Sequence, residues 1–332
     1  MKIAIDAMGG DHAPEVNVRG AMLATKQWKD IEIILVGDSK QIDPLLDTTF
    51  PNITVNHTDE MISGDEEPVR AVRRKKNSSM VLAGKMVKDR SADAMISSGN
   101  TGALMATGLL VMGRIPGVER PALAPMLPTM DNVGLLALDL GANMDASAEH
   151  LVQYAIMGNI YRTKIHGMDS PRVGLLNVGT EKGKGSEITK EVYPLLEQLP
   201  INFIGNVEAR DVLNRNCDVL VCDGFVGNIL LKAMEGTASN VFSVLKVELT
   251  KNLLRKAAAA ILKSSLSAFK KKMDYTTYGG APLLGVNGVC IKSHGSSDAN
   301  AVKNAIGQAR NAIEKKLVDS IASEIRNEGN NR

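Results

Sequence analysis

The chain has 332 residues, 44% of them hydrophobic and 23% charged, with a formal net charge of +2. That length buries a large core, and the near-neutral balance excludes a protein that binds nucleic acid with its whole surface. Aromatic residues make up 3%, which leaves few stacking surfaces for bases or sugars. No signal peptide and no membrane-spanning apolar run is visible, and Cys217, Cys222 and Cys290 follow neither CxxC nor disulfide spacing. Buried thiols in a reducing cytoplasm are the expectation.

Residues 2–7 read as a strand ending at Asp6, followed by Met8-Gly9-Gly10-Asp11-His12-Ala13-Pro14 and a helix over 16–27. Strands over 31–36 and 53–57 come next, and the run 63–68 opens a basic helix bearing Arg70, Arg73, Arg74, Lys75 and Lys76. Residues 94–96 form a short apolar strand, which a polar turn over 97–102 joins to a helix. The proline-rich stretch 116–128 reads as irregular. A strand over 133–139 ends in Asp139-Leu140-Gly141-Ala142-Asn143 and leads to a helix over 146–161. A strand over 173–178 runs into Gly179-Thr180-Glu181-Lys182-Gly183-Lys184-Gly185-Ser186-Glu187 and a further helix. DVLVCDGFVGNILLKAMEG repeats the pattern of strand, Gly-containing turn and helix. Residues 284–297 are a Gly-broken strand and turn, 298–321 a helix, and 327–332 a polar, frayed tail. Alternating strands and helices predict an α/β protein with a largely parallel, doubly wound sheet. Two strand–turn–helix units in one open sheet predict a crevice at the carboxyl ends of the strands.

The polar turns carry the chemistry. A Gly-rich turn before a helix leaves backbone N–H groups free to hold an anion, and Ser, Asn and Thr add donors. Such turns occur at Gly99-Asn100-Thr101-Gly102, Gly141-Ala142-Asn143, Lys182-Gly183-Lys184-Gly185, residues 224–228 and His294-Gly295-Ser296-Ser297. Each alone is what an ordinary turn uses; five together, with two lysines and no strong nucleophile, suggest a site for an anion and a polarised carbonyl. GxxxxGK[ST], a GxGxxG after the first strand, and GxSxG are all absent. The five histidines are scattered without an HxxxH pair, so no zinc site is expected. Asp6, Asp11, Asp139 and Asp223 stand at strand ends, where they could bind a divalent ion, but acids there more often cap helices or brace turns. Neither a metal nor a cofactor is therefore assigned.

Residues 251–273 differ from the rest, with seven Lys or Arg and no acid. On a helical wheel Leu254, Ala258, Ile261, Leu262, Leu266 and Phe269 fall on one side, with Lys256, Lys263 and Lys270 opposite. This is a basic amphipathic helix, or a helical hairpin broken near Ser264-Ser265. It suits either an anionic membrane or packing against a neighbouring subunit.

MGGDHAP, SSGNTGALM, LDLGANMD, NVGTEKGKGSE, CDGFVGNILLK and IKSHGSS, in this order, closely resemble the bacterial phosphate acyltransferase family, PlsX. The resemblance covers residues 1 to about 318. It implies a three-layer α/β/α fold related to isocitrate and isopropylmalate dehydrogenases and to phosphotransacetylases. One catalytic domain would span 1–332, with a projecting helical arm at 245–275. The implied reaction moves a fatty acyl group from acyl-acyl carrier protein to inorganic phosphate, giving acyl phosphate for phospholipid synthesis. Lys184 and Asn228 are implied as catalytic. Ser98, Gly99, Asn100, Thr101, Gly102, Asn143, Lys182, His294, Gly295 and Ser296 are the expected phosphate- and substrate-binding residues. Arg70, Arg73, Arg74, Lys75 and Lys76 would dock the acidic carrier protein, and Leu254, Ala258, Ile261, Leu262 and Phe269 would meet the membrane. A cytoplasmic, peripherally membrane-bound homodimer is implied, with the downstream membrane glycerol-3-phosphate acyltransferase as a further partner. The rival readings are a metal- and NAD-dependent decarboxylating dehydrogenase on the same fold and a non-catalytic membrane scaffold.

Overall fold

Alternation decides the first strand, β1 (Lys2–Asp6): Ile3 and Ile5 join one apolar core, while Ala4 joins a second on the opposite face. Successive side chains of a strand point to opposite faces, so a sheet apolar on both must be covered on both. A computed structural model describes residues 1–47, 49–272 and 279–331. After β1 come α1 (Glu15–Gln27), β2 (Glu32–Gly37), α2 (Ser39–Ile42), β3 (Ile53–His57), α3 (Pro68–Arg74), α4 (Ser79–Lys88), β4 (Ala94–Ser97) and α5 (Thr101–Thr107). The middle of the chain holds β5 (Ala122–Leu123), β6 (Met126–Leu127), β7 (Leu135–Leu138), α6 (Ala148–His166), β8 (Arg172–Asn177), α7 (Glu187–Glu197), β9 (Asn202–Glu208) and β10 (Val219–Val221). The last part is α8 (Gly224–Leu249), α9 (Leu253–Ile261), α10 (Lys263–Lys272), β11 (Ala281–Leu284), β12 (Val289–Lys292), α11 (Ala299–Glu314) and α12 (Leu317–Asn331).

The α/β architecture is as expected, but the strands form two sheets rather than one. The first has the order β3-β2-β1-β4-β12-β11-β5 and the second β6-β7-β10-β8-β9. Pairing is parallel except at β11, β5 and β6. The division occurs in the stretch read as irregular. There β5 pairs with β11 and, two residues later, β6 pairs with β7; all four residues of these two strands are buried. Strands of two residues carry no readable period, and the flanking Pro121 and Pro125 argue against a strand. The two strand–turn–helix units therefore end on different sheets, β4 on the first and β10 on the second.

Other boundaries moved for local reasons. Residues 224–228 are the opening turns of α8, because the Asp223 side chain caps the helix by accepting from Val226 N at 2.9 Å. The helix expected over 298–321 is two, broken where Lys316 takes a φ of +50°. The tail expected to fray is helical to Asn331, and Arg332 lies outside the described residues. The arm is a pair of helices broken at Leu262 rather than at Ser264-Ser265; residues 273–275 of its expected span lie outside the described residues.

Candidate active site

At the carboxyl end of the second sheet, Val221 of β10 is level with Leu138 of β7 and Leu175 of β8. The segments following these three strands therefore open on one edge. Asp139, fully buried, accepts from Leu123 N (3.2 Å), Ala142 N (3.1 Å), Asn143 N (2.6 Å) and Asn143 Nδ2 (3.1 Å). Burial outweighs these donors and pushes its carboxyl up to about 6. Asp139 thus braces the 140–143 turn. Asn143 is spent on the same task, since its amide also donates to Pro121 O at 2.8 Å and its carbonyl accepts from Gly224 N at 2.9 Å.

Asn228, on α8, is differently placed. A Cβ built at Gly141 would lie 3.4 Å from Asn228 Oδ1, so this side chain rests on the Gly141 turn. Its amide makes no hydrogen bond among the described residues. Only glycine fits beside it at 227, where a Cβ would come 2.1 Å from Asp139 O. After β8, Asn177 Nδ2 holds Lys184 O at 3.0 Å. The two lysines of the loop part company there. Lys182 is ion-paired with Glu197 and lies over the Tyr193 ring, whereas the exposed Lys184 ammonium has no partner among the described residues.

The first sheet ends in a row of polar side chains. Asp6, Ser97 and Lys292 are level across β1, β4 and β12. Asp6 accepts from Ser79 Oγ at 2.5 Å and Ser97 Oγ at 2.6 Å. Ser98 Oγ is buried without a hydrogen-bond partner among the described residues. Asn100 is committed to structure: it caps α5 through Ala103 N at 3.0 Å and ties down Gly64 O and Glu66 O. Gly99 N donates to Ser97 Oγ, Thr101 is exposed, and Gly102 lets Pro68 of α3 approach α5. In the neighbouring turn His294 Nδ1 accepts from Ser296 N at 3.2 Å, and Gly295 O accepts from Asp11 N at 2.8 Å. Burial, then the Lys292 charge, lowers the His294 imidazole below its ordinary range.

One helix connects the two ends. Asn228 lies on the first turns of α8, while Lys232 and Glu235 of the same helix act electrostatically on His294. From Asn228 to Glu235 is about 10 Å along the helix. An open groove of about 1590 Å³ follows α8 from there, with His294, Ser296 and Asp298 along one part and Leu231, Met234 and Phe242 along another.

With this geometry in place, comparison with known proteins is direct. The sequence profile described as "Fatty acid synthesis protein" matches residues 1–319. The chain belongs to the fatty acid synthesis protein family. A phosphate acyltransferase from Halalkalibacterium halodurans is 56% identical over 325 residues, covering 98% of this chain and 96% of that protein. One from Oceanobacillus iheyensis is 56% identical over 329 residues, covering 99% and 98%. Among solved structures, a phosphotransacetylase from Streptococcus pyogenes superposes with a TM-score of 0.61 at 17% identity, covering 96% of this chain and 94% of that one. A branched-chain phosphotransacylase from Enterococcus faecalis gives 0.59 at 15%, covering 94% and 99%. These last two establish a shared fold.

In this family member the basic helix is shorter than read. α3 stops at Arg74, and Lys75, half-buried, donates to Glu66 Oε1 at 2.7 Å and Met61 O at 2.8 Å. Arg70, Arg73, Arg74 and Lys76 remain exposed. On the arm, Leu254, Ala258 and Ile261 share one face of α9, and Leu254 and Ile261 are 83% and 82% exposed. Leu262 falls at the break, and Phe269 turns back to meet Phe242 of α8 with ring centroids 5.5 Å apart. Among the described residues no helix is long and apolar enough to cross a membrane. Sequence reasoning did not single out Lys292, which is buried at the end of the strand Val289–Lys292.

Proposed function

We propose that this protein transfers a fatty acyl group from acyl-acyl carrier protein to inorganic phosphate, giving acyl phosphate for phosphatidic acid synthesis. Membership of the family makes it an acyltransferase. What carries the reading is that relatives named phosphate acyltransferase align over 98–99% of the chain. In the step itself a phosphate oxygen attacks the thioester carbon, a C–O bond replaces the C–S bond, and the carrier protein leaves as its thiolate. Phosphate is already a nucleophile, so most of the gain comes from holding it in line with the carbonyl. Burial pushes Cys217 and Cys290 up to about 12, which keeps both as inert thiols.

The Asn228 amide, without a hydrogen-bond partner among the described residues, is the donor for the oxyanion that develops at the carbonyl. Lys184, a compact charge without a competing partner among the described residues, receives phosphate together with the 98–102 and 294–296 turns. The groove along α8 takes the acyl chain. The exposed arginines of α3 lie beside α5 and face the acidic carrier protein. Exposed Phe225, Ile229, Val244 and Val247 on α8 suit a second copy of the chain, and the α9–α10 arm suits an anionic, cytoplasmic membrane surface. There the amphiphilic product is released where a membrane acyltransferase acting on glycerol 3-phosphate consumes it.

Purified protein incubated with acyl-carrier protein and phosphate should yield an acyl phosphate that hydroxylamine traps. No trapped product in the presence of both substrates overturns the reading. Membrane contact has its own test. Seven basic residues set a ceiling of roughly 7 kcal/mol on an anionic leaflet, and the apolar face of α9 adds to it. Leu254→Glu with Ile261→Glu should release the protein from anionic vesicles while soluble acyl transfer persists. Undiminished co-sedimentation removes the arm from this role.

A further inference from the structure

The acyl-transfer reading leaves the buried charge of Lys292 unused. Lys292 is 8% exposed at the end of β12, level with Ser97 and hence in one row with Asp6, which is 2% exposed. In register across parallel strands, these side chains lie on one face of the sheet. The Lys292 ammonium donates to Ser293 O, the first carbonyl of the turn that carries His294, Gly295 and Ser296. Asp11 approaches the same turn from the loop after β1. Its N–H holds Gly295 O, and its carboxylate would lie 3.2 Å from a Cβ at Gly295.

Two acids therefore lie beside the turns that the proposed reaction needs for phosphate, Asp6 buried, with its carboxyl pushed up by that burial, and Asp11 exposed. An anion brought to them meets like charge, which at this range in a protein opposes binding strongly. We propose that Lys292 is a positioning residue of the phosphate site: its ammonium offsets Asp6 and Asp11 and pins the first peptide of the 293–297 turn. The inference rests on the assignment of that turn to phosphate. Ser98 Oγ, buried and without a partner among the described residues, supplies a donor at the end of β4 next to this row. A Cβ at Gly10 would lie 3.0 Å from Ser98 Cβ and 3.2 Å from Gly295 O, so loop and turns meet closely here.

The titratable groups facing Lys292 are Asp6 from β1, Asp11 from the following loop and His294 from its own turn. Ser79 from α4 and Ser97 from β4 bring hydroxyls to Asp6 rather than charge. Burial lowers the Lys292 ammonium to about 8, against the opposing pull of the two carboxylates. The cation is therefore present below that pH and lost above it. Phosphate affinity should weaken as pH rises through 8, where phosphate itself is already the dianion.

The test compares wild type, Lys292→Met, Asp6→Asn and the double variant, with Lys292→Gln as a second neutral replacement. Phosphate affinity is measured directly by calorimetry without acyl donor, beside KM for phosphate and for the carrier-bound donor. Lys292→Met should weaken phosphate binding about 10–100-fold and leave the donor KM unchanged. Adding Asp6→Asn should restore much of the loss, although it removes further hydrogen bonds. The alkaline weakening should vanish in Lys292→Met. Unchanged phosphate affinity in a folded Lys292 variant overturns the proposal, as does a double variant no better than the single. If neither Lys292 variant folds, a wild-type phosphate affinity that is flat from pH 7 to 9 overturns it. Wild type that binds phosphate with this pH dependence yet forms no acyl phosphate breaks the acyl-transfer reading and leaves Lys292 in its role.

Discussion

The two sheet ends solve the same problem with different materials. Each buries an aspartate beneath a polar turn, but the hydrogen bonds to Asp139 all come from neutral N–H groups. Asp6 is held by two hydroxyls and one backbone N–H, that of Met8, with a lysine nearby. Three of the four donors to Asp139 are backbone and cannot turn away, so the Asp139 end is fixed in shape, and the Asn228 amide beside it has no hydrogen-bond partner among the described residues. Hydroxyls can adjust their direction and an ammonium its charge, so the Asp6 end is balanced in charge. The first arrangement suits charge that develops during a reaction, and the second suits charge that arrives with a substrate.

The largest expected effect separates the two carboxylates. Asp139→Ala strands the N–H groups of Leu123, Ala142 and Asn143 and should cost ~3–5 kcal/mol in denaturant unfolding, since each buried orphan costs ~1–3. Asp6→Ala should cost clearly less, because the Ser79 and Ser97 hydroxyls can rotate to other acceptors. Equal costs would erase the distinction. Next comes Asn228→Ala, which should lower kcat by ~10²–10³, or 2.7–4 kcal/mol, with little change in unfolding. A near-normal kcat ends the oxyanion assignment.

The third test uses pH. Asp139 is raised from an ordinary 3.8 to about 6, so its protonated form is the one that folding favours. The stability it contributes is complete below pH 3.8 and is lost as pH rises through 6, about 3 kcal/mol in all. Asp139→Asn should remove that decline from the unfolding profile between pH 4 and 6; a profile that keeps it places the titration elsewhere. The smallest effect concerns the basic helix beside the first end. Reversing Arg73 and Arg74 to Glu should raise KM for the carrier-bound donor several-fold at low salt and blunt its salt dependence. Insensitivity to both removes α3 from docking.

Most of the parallel strands were legible because they are buried runs bounded by Gly, Asp and Asn, which is a local signal. What escaped depends on partners far away in sequence. Met126 is a strand residue because Leu136 lies beside it, and α4, with its buried Met80 and Val81, is a helix without a strong polar face. The polar turns were legible, but the way their side chains divide the hydrogen bonds was not. Nothing in KGKG says that Lys182 will find Glu197 while Lys184 finds no partner among the described residues. Nor does GANMD say that Asn143 is consumed in bracing its own turn. Lys292 escaped for the reverse reason, because a lysine beside a turn looks solvated until β4 and β1 are placed next to it.

The position of β12 bears on how the molecule is made. The second sheet is built from β6 to β10, a contiguous stretch that can pair as soon as it leaves the ribosome. The first sheet cannot close in that order, because β12 is inserted between β4 and β11. Until residues 289–292 are synthesised, β4 presents an unpaired parallel edge, the kind of surface that invites wrong pairing. The second sheet can therefore pair while the outer edge of β4 still waits for its partner. The row of Asp6, Ser97 and Lys292 is among the last features to form, and a truncated chain never acquires it.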